Sequence, residues 1–302
     1  MRTENKFKGI WPVINTPFKE DMTIDVGHYE AMLEWYIKKG VDGIYTNCLS
    51  SEMYELSEEE RLLLVKEAVR IVDGRVPLAA TGNFGDSIDQ HIASAKKFQA
   101  TGVDVVMFTV PTFCNNDAEL EAYYVEMAKN IEGPLGLYEC PQPRQYHLGI
   151  DLIETLAKSE RFFAYKETSC DINKIKKIIA VCKGTPLALL QANVPFMLEA
   201  ITAGAQGSMN IVTNWLPELA VKVAKGDPAD SDIIRLNKIL CTLEMTQRSI
   251  NAIGIKYLMG KRGLPVRALT RYNHTLSMEV KHSLDQISSL WFKEDGELQL
   301  NI

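Results

Sequence analysis

No run of about 18 consecutive apolar residues occurs in the chain, so nothing in it reads as a membrane-spanning helix. Nor is there a block of basic charge. Thirty-three basic residues stand against 39 acidic ones, a net charge of −6. That balance offers nothing to attract nucleic acid or an anionic membrane surface. The six cysteines (Cys48, Cys114, Cys140, Cys170, Cys182, Cys241) show no Cys-x-x-Cys spacing and are expected as free thiols. The histidines His28, His91, His147, His274 and His282 are scattered, so no metal site is expected. The first β-rich run is not followed by Gly-x-Gly-x-x-Gly, which argues against an open dinucleotide-binding sheet. The opening MRTENKFKGIWPVINTPF lacks the unbroken apolar stretch of a signal peptide. These absences leave a soluble cytoplasmic protein as the expectation, with no nucleic acid or membrane among its partners.

What is present is ordinary globular composition, 46% hydrophobic and 24% charged over 302 residues, enough for a large core. Short β-rich runs occur at 9–15, 43–48, 76–81, 104–110, 135–140, 162–168, 187–192 and 207–212. Stretches with apolar residues at helical spacing lie between them, such as HYEAMLEWYIKKG and ERLLLVKEAVRIV. Ser57 with Glu60 forms a capping box, and Gly40 and Gly102 stop their helices. Eight β runs, each followed by a helical run, describe an α/β fold, a parallel (β/α)8 TIM barrel. From about Asp230 the β runs cease. Residues 1–228 are read as the barrel and 229–302 as a C-terminal helical extension packed on it, since no Pro- or Ser-rich linker intervenes.

In such a barrel the chemistry sits at the C-terminal strand ends. Lys166 stands out there, at the exit of the apolar run FFAYKETSC. An ordinary lysine titrates near pH ~10.4 and is almost wholly charged at neutral pH. Two fates suit a lysine in this place. It pairs with a rim carboxylate such as Glu167 or Glu139, or apolar surroundings depress its pKa and make it a nucleophile. A neutral amine condenses with a ketone, and the iminium becomes an electron sink for the adjacent C–C bond. Tyr138 ends the preceding β run. It is either a proton shuttle beside Lys166 or a core aromatic with a satisfied hydroxyl.

The stretches GLYECP and AYKETSCD resemble the paired strand ends of the dihydrodipicolinate synthase/N-acetylneuraminate lyase family of Schiff-base aldolases. In that family the patterns are Tyr-Asn-x-Pro and Lys-Glu/Gln-x-Ser-Gly-Asp. GIWPVINTPF, LSEEER, AATGN, TVPTF, ITAGAQGSMNIVTN and GIKYLMGKRGLPVRALT fall in the family's order, so the likeness runs nearly end to end. It implies that Lys166 forms an imine with pyruvate or another 2-oxo acid, and that Tyr138 transfers protons. It implies no cofactor beyond that covalent imine, and a homo-oligomer, dimer or tetramer.

Departures from the family pattern narrow the activity. A Gly-Thr/Ser-Thr-Gly-Glu turn that grips the substrate carboxylate corresponds here to Cys48-Leu49-Ser50-Ser51-Glu52. Leu49 takes one hydroxyl position, Ser50 the other, and Ser51 replaces a glycine whose backbone freedom it must match. The synthase branch's second tyrosine corresponds to Phe113. Its arginine corresponds to Pro143, with Arg144 next door. The neuraminate lyase branch's Asp-Glu pair corresponds to Val194 and Pro195. Glu139 stands where asparagine is common, and Thr168 corresponds to a residue that touches the substrate hydroxyl. The expected substrate contacts are therefore Ser50, Ser51, Leu49, Thr168, Glu139 and Met209. The expected activity is a class I pyruvate-dependent aldolase or lyase, neither dihydrodipicolinate synthase nor sialic acid lyase proper. Dehydration of a 2-oxo-3-deoxy sugar acid through the same imine, and non-catalytic binding of a 2-oxo acid, are the alternatives.

Overall fold

Each of the eight β runs contains a strand in the computed structural model, which describes residues 5–248, 250–272 and 274–299. The strands are β1 Gly9–Ile10, β2 Ile44–Thr46, β3 Leu78–Thr81, β4 Val105–Thr109, β5 Leu135–Tyr138, β6 Phe162–Glu167, β7 Ala188–Gln191 and β8 Gly207–Ser208. Helices α1 Val26–Lys38, α2 Glu58–Val72, α3 Ile88–Gln99, α4 Asp117–Asn130, α5 Ile150–Lys158, α6 Ile172–Cys182, α7 Val194–Ala203 and α8 Pro217–Lys225 alternate with them. All strand pairings are parallel, and β1 pairs with β8. A parallel bridge between Val13 and Tyr45 joins the continuation of β1 to β2, closing the (β/α)8 barrel.

Local signals set the helix ends. The Ser57 hydroxyl accepts from Glu60 N–H while the Glu60 carboxylate accepts from Ser57 N–H, satisfying two otherwise orphaned donors of α2. Gly40 and Gly102 follow α1 and α3 with φ of +77° and +87°, a backbone region in which a β-carbon is disfavoured.

Two apolar layers fill the molecule. The larger lies between strands and helices and holds Val106, Phe108, Leu137 and Tyr165. The smaller fills the barrel with Trp11, Tyr45, Met107, Tyr138, Ala164 and Met209. Along β5, Leu135 and Leu137 face outward while Tyr138 faces inward, the two-residue alternation of a strand. In β6 that alternation is broken once. Leu135 pairs with Phe162 but the next residue, Gly136, pairs with Ala164, so Phe163 is an extra residue in the ladder. This bulge reverses the phase of everything after it. Ala164 and Lys166 turn inward, and Tyr165 and Glu167 outward.

After the barrel come α9 Ser231–Arg248, α10 Asn251–Lys261 and α11 Met278–Trp291. They are bound to it by buried polar contacts. Lys256 Nζ lies 2.6 Å from Glu52 Oε1, both side chains wholly buried. Trp215 Nε1 donates to Gln247 Oε1 at 2.7 Å, and buried Arg262 donates to the Trp215 and Gly296 carbonyls. Residues 1–4 of the expected barrel and 300–302 of the expected extension lie outside the described residues. Among the described residues no helix is long and apolar enough to cross a membrane.

Candidate active site

Tyr138 and Lys166 are register partners on adjacent parallel strands, so both side chains enter the barrel at the same level. Lys166 is 4% exposed, and its Nζ lies 4.4 Å from the Tyr138 ring centre and 5.4 Å from that of Tyr45. Among the described residues it has no ion pair. Burial pushes its pKa below the ordinary lysine value, against a weaker pull from the Cys48 and Cys140 thiols and the Glu244 carboxylate. Burial pushes the Tyr138 phenol well above its usual range, so it is a neutral donor at rest.

The carboxylates beside these two residues do not reach them. Glu167 points outward, accepting from Ser169 N–H at 2.6 Å and from Gln191 Nε2 at 2.6 Å. Glu139, expected at the substrate's variable end, also faces away from the barrel interior. It is fully buried and accepts from Tyr165 Oη at 2.6 Å, Leu148 N–H at 2.8 Å and Thr168 N–H at 3.2 Å. Following Tyr138 in an alternating strand, it had to take the opposite face. Burial raises the Glu139 pKa, but bonds from His147 and Tyr165 and the charge of Lys174 outweigh this and hold it below the usual value. The Thr168 hydroxyl donates to the Glu139 carbonyl oxygen at 2.9 Å. Glu139 and Thr168 thus tie the ends of β5 and β6 together from behind.

The turn after β2 is a single 3₁₀ turn, Leu49–Ser51. Ser51 has an ordinary backbone conformation, so the freedom of a glycine is not needed at its position. The left-handed residues are Asn47 (φ +46°) and Glu52 (φ +61°). The Ser51 hydroxyl donates to the Ile14 carbonyl at 2.6 Å and accepts from Cys48 N–H at 3.1 Å, so it shapes the turn. Ser51 and Glu52 N–H groups are used within the turn. The N–H groups of Leu49 and Ser50 have no partner among the described residues. Asn15 Nδ2 holds the Ser50 carbonyl at 2.8 Å. Beyond the turn, Glu52 accepts from Lys256, Thr270 and Arg271, fixing it to the helical extension.

A cavity of about 310 Å³ opens at the barrel mouth, lined by residues including Asn15, Leu49, Ser50, Ile211, Gln247 and Arg248. Lys166 is not part of its lining. Leu49 and Ile211 form its inner wall and pack on the interior cluster that contains Tyr138 and Met209. Met209 is fully buried in that cluster. Phe113 is 36% exposed and packs on His91 and Tyr123. Arg144 donates to the Pro111 and Cys114 carbonyls, which occupies its guanidinium in the β4–α4 loop.

Sequence reasoning missed the contribution of α9. Glu244, Gln247 and Arg248, at helical i, i+3, i+4 spacing, come to the barrel mouth from the extension. Glu244 is 2% exposed, bonded to Gln247 and Arg248, and burial raises its pKa. That polar trio on one face of a helix was the only local signal. All six cysteines are free, and no group of three or more metal-ligating side chains is present among the described residues.

Residues 6–289 match the model of the dihydrodipicolinate synthetase family. The chain is 29% identical over 275 residues to a probable 2-dehydro-3-deoxy-D-pentonate aldolase of Escherichia coli, covering 86% of this chain and 89% of that protein. It is also 29% identical over 213 residues to a 4-hydroxy-tetrahydrodipicolinate synthase of Thermodesulfovibrio yellowstonii, 70% of this chain and 72% of that one. Among solved structures, a prophage protein of Escherichia coli K12 from the dihydrodipicolinic acid synthase family, in complex with pyruvate, superposes with a TM-score of 0.85. The identity is 24%, and 94% of this chain and 98% of that chain are covered.

Proposed function

Because the chain belongs to the dihydrodipicolinate synthetase family, we propose that it is a class I aldolase, joining Lys166 to the carbonyl of pyruvate or a related 2-oxo acid. One observation carries this reading: Lys166 is buried at the strand exit, directed inward beside Tyr138, with no carboxylate partner among the described residues. A buried lysine without an ion pair is a costly arrangement, and it suits an amine that must be neutral to react. The names of the relatives, a synthase and a pentonate aldolase, support aldol-type chemistry on a 2-oxo acid.

The Lys166 amine adds to C2 of the 2-oxo acid to give a carbinolamine. Its hydroxyl departs as water with the proton of the Tyr138 phenol, leaving an iminium and a phenolate. The iminium charge beside the ring stabilises that phenolate. The phenolate takes the proton from the C4 hydroxyl, the C3–C4 bond breaks, an aldehyde leaves, and the bond electrons form the enamine. The Tyr138 phenol then gives its proton to C3 of the enamine. Water adds to the iminium so formed and returns a proton to the Tyr138 phenolate, and pyruvate leaves with Lys166 freed as the amine. The unpartnered N–H groups of Leu49 and Ser50 are suited to hold the substrate carboxylate, since amides need no particular side chain.

Phe113 carries no hydroxyl, Pro143 no charge, and Arg144 is engaged by loop carbonyls, all of which disfavours the synthase's own reaction. Val194 and Pro195 at the start of α7 disfavour a sialic acid tail. Family resemblance points further to a homo-oligomer, which light scattering of the purified protein tests, and to a cytoplasmic location, which cell fractionation tests.

Borohydride reduction in the presence of pyruvate, followed by peptide mass spectrometry, tests the imine. A pyruvate-derived adduct on Lys166 is expected. No adduct with pyruvate or longer 2-oxo acids overturns the reading in favour of a binding protein. Products from 2-oxo-3-deoxy acids then separate cleavage, which yields pyruvate, from dehydration, which leaves the carbon chain intact.

A further inference from the structure

The cavity at the barrel mouth has one charge sign. Among its described lining residues Arg248 is the only arginine or lysine, and no aspartate or glutamate is among them. The other polar groups around it come from separate parts of the chain: Asn15, Ser50 and Gln142 from the segments after β1, β2 and β5, Gln247 from α9, and Tyr272 and His274 from the segment after α10.

Arg248 is held in place. Its Nη2 donates to Asn193 Oδ1 at 3.0 Å, and its Nε to Glu244 Oε1 at 3.3 Å. Asn193 in turn donates through N–H and Nδ2 to Gln191 Oε1 at 2.8 and 3.2 Å, and Gln191 Nε2 donates to Glu167 at 2.6 Å. A continuous chain of hydrogen bonds therefore runs from the residue next to Lys166 to the guanidinium. Arg248 side-chain exposure is 44%, so the group stays open to a ligand. Glu244 lies one helical turn before Arg248, and the Arg248–Asn193 bond sets this end of α9 at the exit of β7, the neighbour of the strand that carries Lys166.

We infer that Arg248 is a specificity-determining residue that binds an anionic group at the end of the substrate remote from Lys166. The substrate class is then a 2-oxo acid with a second negative group, a terminal carboxylate or a phosphate ester, not one ending in a neutral hydroxymethyl. A planar fork of N–H donors fits either anion in a bidentate manner. Asn193 and Glu244 hold the guanidinium by one nitrogen each, Nη2 and Nε. The inference rests on the aldolase reading, with Lys166 at the carbonyl end.

Three six-carbon 2-oxo-3-deoxy acids, ending in a carboxylate, a phosphate ester or a hydroxymethyl group, are compared by kcat/KM on the full-length wild type and on Arg248→Gln and Arg248→Lys. Borohydride trapping of wild type with pyruvate is run beside them. The wild type should prefer an anionic tail at least tenfold over the neutral one. Arg248→Gln should erase that preference mainly through KM, and Arg248→Lys should restore part of it. Whichever anionic tail carries the larger preference identifies the group recognised. A wild type that is trapped by pyruvate but prefers the neutral tail, or an Arg248→Gln variant with unchanged preference, overturns the inference and leaves the aldolase reading standing. Absence of trapping in wild type overturns both.

Discussion

Replacing Lys256 by methionine removes the cationic half of an ion pair whose two side chains are fully buried. Methionine keeps most of the stem that packs near the Phe18 ring, so the loss is chiefly electrostatic. In the native protein Lys256 Nζ is 2.6 Å from Glu52 Oε1 and donates to the Leu269 carbonyl at 2.6 Å. The variant leaves Glu52 with the Thr270 hydroxyl at 2.8 Å and the Arg271 N–H at 2.7 Å, neither of which cancels its charge. Removing one partner of a buried pair costs about 3–5 kcal/mol. Against a typical stability of about 5–15 kcal/mol, that is a large fraction of the total. Because Glu52 adjoins Ser50 and Ser51, pyruvate trapping on Lys166 should weaken as well. The assay is urea unfolding followed by circular dichroism, with Lys256→Met/Glu52→Gln as the control. A neutral amide has no uncompensated charge, so the double variant should recover much of the loss. A cost under about 1 kcal/mol for Lys256→Met, or a double variant no more stable than the single, refutes the argument.

Four further expectations follow. Lys166→Arg should lose both turnover and the borohydride adduct while keeping its circular dichroism spectrum, and residual turnover would exclude the imine. Tyr138→Phe should lower kcat by roughly 10²–10⁴-fold, the usual share of a positioned proton-transfer group, read in steady-state cleavage assays. Lys166→Met should be more stable than wild type at pH 7, because burial lowers the pKa of Lys166 and so disfavours its charged form in the folded protein. That gap should close as pH rises toward the ordinary lysine value, and thermal melts across pH check it. His147, whose pKa is raised first by its hydrogen bond to Glu139, contributes stability that is full below its unfolded value and lost as pH rises through its folded one. The difference in urea midpoint between wild type and His147→Ala should therefore be largest near pH ~5.5 and shrink by pH ~8, well above the ordinary histidine value. A difference that grows with pH contradicts the pairing with Glu139.

The sequence by itself determined the alternation of strands and helices, the barrel, the strand exits and the place of Lys166 and Tyr138 at two neighbouring exits. Those features rest on local periodicity and on chain order, which leave their mark within a few residues. Tertiary structure decided which way the side chains face. By simple alternation from outward-facing Phe162, Lys166 would point to the helices, and only the bulge at Phe163, set by pairing with β5, turns it inward. The same phase rule sends Glu139 out of the barrel into a network with Tyr165 and His147. At the β2 turn the left-handed conformation falls on Glu52, the residue that ends the 3₁₀ turn, and not on Ser51, and the extension's Lys256, Thr270 and Arg271 hold the Glu52 carboxylate. Arg248 reaches the barrel mouth because a helix beyond the barrel docks there. No spacing along the chain encodes that contact, since it depends on how apolar faces far apart in sequence pack together.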